Sequence, residues 1–241
     1  MVQSSIAAVL RSMQTATATP QRKDGHHPII VMQCGAIRHR VDAKAQALAR
    51  PFTHVVIPRP TNFRLPPSTE KPEMHELYAA LATNEARNQL ITVDLLRAIK
   101  ACRSPIVLTE RTIQVEEFAK RLSGLVKHIV VLKGGMGAKQ RREIAERLKS
   151  IPEGEERVLL ATGRYIGEGF DDARLDTLFL AMPISWRGTL QQYVGRLHRL
   201  HDAKREVIVF DYVDGCIPVF CSMYDKRVRG YEAVGYTIQD D

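Results

Sequence analysis

From about residue 105 onward, short apolar runs alternate with stretches of helical periodicity. PIVLTE over 105–110 reads as a buried strand, and residues 112–122 follow with Val115, Phe118, Ala119 and Leu122 at helical spacing. HIVVL over 128–132 predicts a second strand, the glycine turn KGGMG closes it, and a strongly charged helix is expected over 138–148. Three more apolar runs read as strands, RVLLA (157–161), TLFLA (177–181) and the β-branched EVIVFDYV (206–213). A helix is predicted over 188–200, and an amphipathic helix over 218–235 closes the sheet with Lys226, Arg227 and Arg229 pointing outward. Strands that are apolar on both faces and alternate with helices imply a mostly parallel sheet covered on both sides, an α/β fold.

Upstream the texture changes. Residues 29–33, 37–40 and 54–57 look like short strands, the Pro-rich RPTNFRLPPSTEKP (59–72) reads as a linker, and 77–100 as one or two helices leading into the parallel unit. The domain boundary is therefore expected near residue 68, with the α/β domain occupying 69–241.

Composition narrows the classes. A chain of 241 residues with 44% hydrophobic and 26% charged residues is neither disordered nor fibrous. No run approaches the roughly 18 apolar residues a transmembrane helix needs, and the N-terminus is a poor signal peptide, so a cytoplasmic protein without membrane contact is expected. Cys34, Cys102, Cys216 and Cys221 are too scattered for a zinc site or a disulfide framework and are expected to be reduced, small buried hydrophobes. The net charge of +8 is local: residues 97–149 hold 13 Lys or Arg against five Glu, and the remainder balances. Such a stretch predicts either a basic face for nucleic acid or ordinary solvated helix surfaces.

Two segments carry candidate chemistry. GTLQQYVGRLHRLH (188–201) sets Gln192, Arg196 and Arg199 at i, i+4 and i+7, so one helix face would present an amide and two guanidiniums to a polyanion. Gly195 in mid-helix costs about 1 kcal/mol relative to Ala, which suggests a close approach there. LLATGRYIGEGFDD (159–172) follows a strand and supplies three glycines, a threonine and Asp171, the materials of a phosphate-binding loop, although a plain tight loop fits equally well. The histidines, including His26-His27 and His198-x-x-His201, read as surface or core residues and no metal site is expected; Trp186 reads as a packing residue.

In this order and spacing the two segments resemble motifs V and VI of superfamily 2 helicases and translocases, nearest to the XPB-like and restriction-subunit-like branch. IVLTERTIQVEEFAKRL (106–122) resembles motif IV, KGGMGAKQR (133–141) the element after it, and TATP (17–20) the motif III end of a first lobe. The resemblance implies a RecA-like C-terminal lobe over 69–241, a β-rich interlobe segment and linker over 29–68, and a remnant of a first RecA-like lobe over 1–28. It implies Arg196 and Arg199 as arginine fingers with Gln192 as their partner, Gly167, Gly169, Asp171 and Gly195 near ATP, and Thr109, Arg111, Gly134, Gly135, Lys139 and Thr162 on nucleic acid, DNA rather than RNA. The sequence contains neither G-x-x-x-x-G-K-[ST] nor an Asp-Glu dipeptide, so the Mg²⁺ that accompanies ATP is expected on a first lobe not present in this chain. The alternative is a non-catalytic nucleic-acid-binding or partner-docking module derived from a truncated helicase.

Overall fold

The protein is described by a computed structural model covering residue 32 and residues 42–65, 72–163, 172–184 and 187–239. The strands expected at 29–33 and 37–40, the motif III remnant and Trp186 lie essentially outside these residues.

Seven described strands form one sheet: β1 (Thr53–Pro60), β2 (Pro105–Thr109), β3 (His128–Leu132), β4 (Arg157–Thr162), β5 (Thr177–Leu180), β6 (Glu206–Val213) and β7 (Thr237–Ile238). Their order across the sheet is β3-β4-β2-β5-β6-β1-β7, and every pairing is parallel. The helices between them are α1 (Ala43–Leu48), α2 (Met74–Thr83), α3 (Glu85–Lys100), α4 (Thr112–Leu122), α5 (Ala138–Ser150), α6 (Arg187–Leu197) and α7 (Pro218–Ala233). Local chemistry sets several ends. The Asn84 side chain accepts from the Arg87 backbone N–H (2.9 Å) to start α3, and Pro218 opens α7, where its missing N–H costs nothing.

The pleat sorts side chains to the two faces. Ile106, Leu108, Leu159, Ala161, Leu178 and Leu180 face a core closed by Leu148 of α5, Leu190 and Val194 of α6 and Tyr231 of α7. Val107, Val158, Leu160, Phe179 and Ala181 face the opposite core, closed by Ile91 and Leu95 of α3 and Val115, Phe118 and Leu122 of α4. Each buried Val, Leu, Ile or Phe among them contributes about 1.5–3 kcal/mol by leaving water, and neither face of the central strands could be exposed cheaply. This is the parallel α/β sheet expected from the alternation of strands and helices.

Three expectations change. Residues 53–60, assigned upstream of the domain, form β1, which is paired along its whole length with β6 and lies between β6 and β7. A parallel partner is brought in by a long connection, so sequence distance from the other strands concealed it. Arg227 of α7 does not point outward: it is 2% exposed and bidentate to Asp211, its Nε and Nη2 donating at 2.8 Å each, while Tyr231 donates to the same carboxylate at 2.9 Å. The cysteines are free thiols where described, yet Cys102 and Cys216 are exposed rather than buried.

Candidate functional site

In an open parallel sheet the crevice for ligands lies beyond the carboxyl ends of the strands, where the chain changes direction across the sheet. Here the chain moves from β2 outward to β3, returns to β4, and crosses β2 to β5. The ends of β2, β3 and β4 therefore converge. Thr109 and Thr162 are register partners on β2 and β4, and Gly134, just past β3, donates its backbone N–H to Thr162 Oγ1 at 2.8 Å. Gly135 next to it has φ +85°, the left-handed conformation the turn requires and glycine adopts freely. The structure thus brings together four of the six residues predicted for nucleic acid, from three separate stretches of sequence.

Their side chains are not all available. Thr109 is 3% exposed, donates to Gln114 Oε1 at 2.6 Å and accepts from the Arg111 N–H at 3.2 Å. Its role is to tie the end of β2 to α4, with Gln114 donating onward to Asn88 (2.9 Å). Thr162 is 8% exposed and holds Gly134. Arg111 is half-buried, its guanidinium 5.9 Å from the Tyr78 ring centroid and donating to the His75 carbonyl at 3.2 Å. Lys139, in the first turn of α5, is exposed. What this end offers a ligand is backbone and basic side chains rather than threonine hydroxyls.

The arginine segment is different from its prediction. Gln192 is exposed and Arg196 half-buried, one helical turn apart on α6. The helix stops at Leu197, so exposed Arg199 lies beyond it and does not share the helical face. A Cβ at Gly195 would meet nothing within 4 Å, so no neighbour in this chain demands glycine there. Gly167, Gly169 and Asp171 lie outside the described residues. Asp172, which follows them, is described: burial pushes its carboxyl up, but hydrogen bonds from Arg157 (2.5 Å) and the Arg174 N–H (3.0 Å) outweigh it and hold the carboxyl below the usual range. The far end of the glycine loop is thereby anchored at the start of β4.

Contacts orient α6 against the sheet. Tyr193, in the middle of α6, reaches the carboxyl ends of the strands: its hydroxyl donates to Glu110 Oε1 at 3.3 Å, and burial followed by the Glu110 charge raises its pKa. A Cβ on Gly163, the residue after β4, would overlap the Tyr193 hydroxyl and fall 2.5 Å from Glu110 Oε1. His198, past the other end of α6, packs edge-on against His54 at the start of β1 (4.6 Å) and shares a 3.0 Å hydrogen bond with the Tyr236 hydroxyl. Burial, then His54, Arg50 and Lys204, push His198 down to about 3, so it is neutral at ordinary pH. α6 thus runs from the strand ends, where Tyr193 meets Glu110, toward the strand starts, where His198 meets His54.

The buried charges on and just past β6 were missed in reading the sequence. Asp211 binds Arg227, and Asp214 accepts from Arg87 Nε (2.9 Å) and Thr61 (2.6 Å). Between them Tyr212 donates to Asp94 (3.1 Å), which is also paired with Arg59 of β1 (2.9 Å). The one available signal was two aspartates interrupting an apolar strand, FDYVD, which demand buried partners.

The basic stretch is divided by the sheet. α4 covers the face lined by Val107 and α5 the face lined by Ile106, so residues contiguous in sequence lie on opposite sides of the molecule. Several are also neutralised: Arg121 pairs with Glu85 and Glu117, Lys133 with Glu116 and Arg142 with Glu146. Of the two readings of the charge count, the described residues favour ordinary solvated helix surfaces here, because successive crossovers put these two helices on alternate faces.

Known proteins agree with this architecture. The model of the helicase conserved C-terminal domain matches residues 87–201. Uncharacterized protein 108L of invertebrate iridescent virus 3 is 38% identical over 81 residues, 34% of this chain and 73% of that protein. Transcript termination protein OPG145 of variola virus is 31% identical over 121 residues, 49% of this chain but only 24% of that protein. Among solved structures, T4 UvsW superposes with a TM-score of 0.60 at 13% identity, over 79% of this chain and 42% of the other, a likeness of fold. The matches thus span less than half the length of the variola protein and of T4 UvsW. Residues 87–201 thus carry the helicase conserved C-terminal domain, set within a parallel sheet whose fold T4 UvsW shares.

Proposed function

We propose that this chain acts as the C-terminal lobe of an ATP-dependent DNA helicase or translocase, of the XPB-like and restriction-subunit-like branch that its motif spelling resembles. The observation that carries the proposal is the amide and guanidinium pair on α6, exposed Gln192 and half-buried Arg196 one turn apart, with Arg199 exposed just beyond the helix. Planar, permanently charged guanidiniums suit phosphate oxygens and stabilise the charge of a transferring phosphoryl group. Bound ATP supplies the phosphoanhydride whose cleavage drives movement. The residues present fit the phosphate end of it: Arg196 and Arg199 would neutralise charge and Gln192 would orient Arg196. Among the described residues no three His, Cys, Asp or Glu converge as a metal site, so in this proposal Mg²⁺ is held by a first RecA-like lobe.

Nucleic acid would run along the strand ends, meeting the backbone at Gly134 and Gly135, the Arg111 guanidinium and Lys139. Contacts of that kind address phosphates, which makes binding salt-dependent and tolerant of sequence. Residues of α4 lie on the other face and are not part of this path. Fluorescence anisotropy with labelled single-stranded DNA tests it. Lys139→Ala is expected to weaken binding and to lower the salt slope by about 1, while Lys120→Ala on α4 leaves both unchanged. Equal effects of the two substitutions would overturn the assigned path. For the nucleotide, a first lobe supplied to this chain is expected to give turnover that Arg196→Ala lowers on the order of 10³-fold. Turnover typical of an intact motor from the 241-residue chain alone, abolished by Arg196→Ala, would overturn the requirement for a first lobe.

A further inference from the structure

We propose that Lys204 is a positioning residue for the arginine pair, and that its buried ammonium, rather than the α6 helix, fixes the backbone that carries Arg199. This deepens, and rests on, the reading of Arg199 as a phosphate-facing group.

α6 ends at Leu197, two residues before Arg199. The last carbonyls of a helix lack intrahelical donors and are ordinarily left to water or to a cap. Here Lys204 Nζ donates to the Leu197 carbonyl at 2.8 Å and to the Arg199 carbonyl at 2.8 Å, joining the helix end to the residue outside it. The lysine is itself fixed: its backbone N–H donates to the His201 carbonyl (3.0 Å), and the ammonium lies 5.4 Å from the Phe52 ring centroid. It is 4% exposed, which is unusual for a side chain that normally keeps its charge in water.

Burying an ammonium is unfavourable, and a surface loop could have left these carbonyls to solvent at no such cost. The arrangement therefore stabilises one particular path for residues 197–199. A cation at a helix C-terminus also meets the negative end of the helix dipole. The charged or titratable groups near it are Asp176 and Asp172, which favour the charge, Arg50, which opposes it, and the neutral His198 with His54 beside it. A phosphate-directed guanidinium must be held to within about 0.5 Å to act in a transition state, and a side chain as long as arginine inherits any error in its backbone.

Hydrogen exchange on the full chain tests the clamp without any reference to ATP. Lys204→Met is expected to accelerate exchange of the Val194–His198 amides at least tenfold while leaving the β2 and β4 amides unchanged, and Lys204→Arg is expected to restore most of the protection. Acceleration spread evenly over the sheet, or none in α6, would overturn the proposal. With a first lobe supplied, Arg199→Ala and Lys204→Met are each expected to lower kcat with KM unchanged, and the double variant to lose no more than Arg199→Ala alone. Losses that multiply would also overturn it. Should Arg199→Ala leave turnover intact, the nucleotide reading fails, and the exchange result still decides the clamp.

Discussion

Cys102 occupies the position just past the end of α3 with φ +58°, the left-handed conformation in which a side chain is strained. The Cys102 N–H donates to the Ile99 carbonyl (2.9 Å) and the Arg103 N–H to the Ala98 carbonyl (3.1 Å), the paired bonds that usually end on glycine. Cys102→Gly is therefore expected to stabilise the protein by about 1 kcal/mol, read from the midpoint of urea unfolding at constant slope. Arg227 gives the opposite case. Its guanidinium satisfies both oxygens of Asp211, and burial, which would lower the pKa of Arg227, is outweighed by that carboxylate, so the pKa of the guanidinium is raised. Removing one partner leaves a buried, uncompensated charge, and Arg227→Met is expected to cost about 3–5 kcal/mol in the same assay. A loss below 1 kcal/mol would show the pair to be solvent-screened. Neither residue could have been assigned from sequence: Cys102 sits in an unremarkable polar turn, and Arg227 lies between Lys226 and Arg229 in what reads as a basic helix face.

At the scale of elements, α6 is the connection between the two candidate regions. Tyr193 touches the strand ends through Glu110, and the residues past Leu197 rest on His54 and Lys204 at the strand starts. Gly163 makes the upper contact possible, because any Cβ there would displace Tyr193 or Glu110. Glu110 is exposed and can swing away, whereas buried Tyr193 cannot. Gly163→Ala is expected to cost about 1–3 kcal/mol by overpacking, and Tyr193→Phe in the same chain to recover part of that loss by removing the hydroxyl in the way. Additive losses in a double-mutant cycle of unfolding free energies would place the clash elsewhere. The positions of β2, β3, β6 and α4 were legible to within a residue, since their apolar periods are long and bounded by turns. The end of α6 was not, because apolar and basic residues continue at helical spacing to Leu200 while the backbone is captured by a lysine five residues beyond Arg199.

At the scale of the whole molecule, charge and pH behaviour follow from what the sheet separates. The +8 of the sequence is spread over both faces and partly paired, so a single nucleic acid meets only a fraction of it. Lys204 adds a pH dependence. Burial, with Arg50 adding to it and Asp176 and Asp172 opposing, holds its pKa down to about 8. Between about 8 and the unfolded value near 10.4 the unfolded chain binds more protons than the folded one, so this group makes stability rise with pH, and below about 8 its contribution is constant. The unfolding free energy of the wild type relative to Lys204→Met is thus expected to increase from pH 8 to pH 10. A flat difference across that range would mean that the ammonium is solvated in the folded state.

The sequence by itself determined the alternation of strands and helices, hence a parallel α/β sheet, and the order and spacing of the segments that mark the helicase conserved C-terminal domain. Both are local properties, since a strand or helix declares its period within a few turns and a motif is read along the chain. The tertiary structure alone decided that β1 enters the sheet between β6 and β7, that the basic stretch falls on two faces, that Arg227 and Asp211 neutralise one another inside, and that Arg199 is held by Lys204 rather than by its helix. The physical reason is common to all four. Strand partners, the side of the sheet a helix covers and the partner of a buried charge are settled by contacts between residues far apart in the chain, where the energy of burial, not the local pattern, selects among arrangements the sequence leaves equally open.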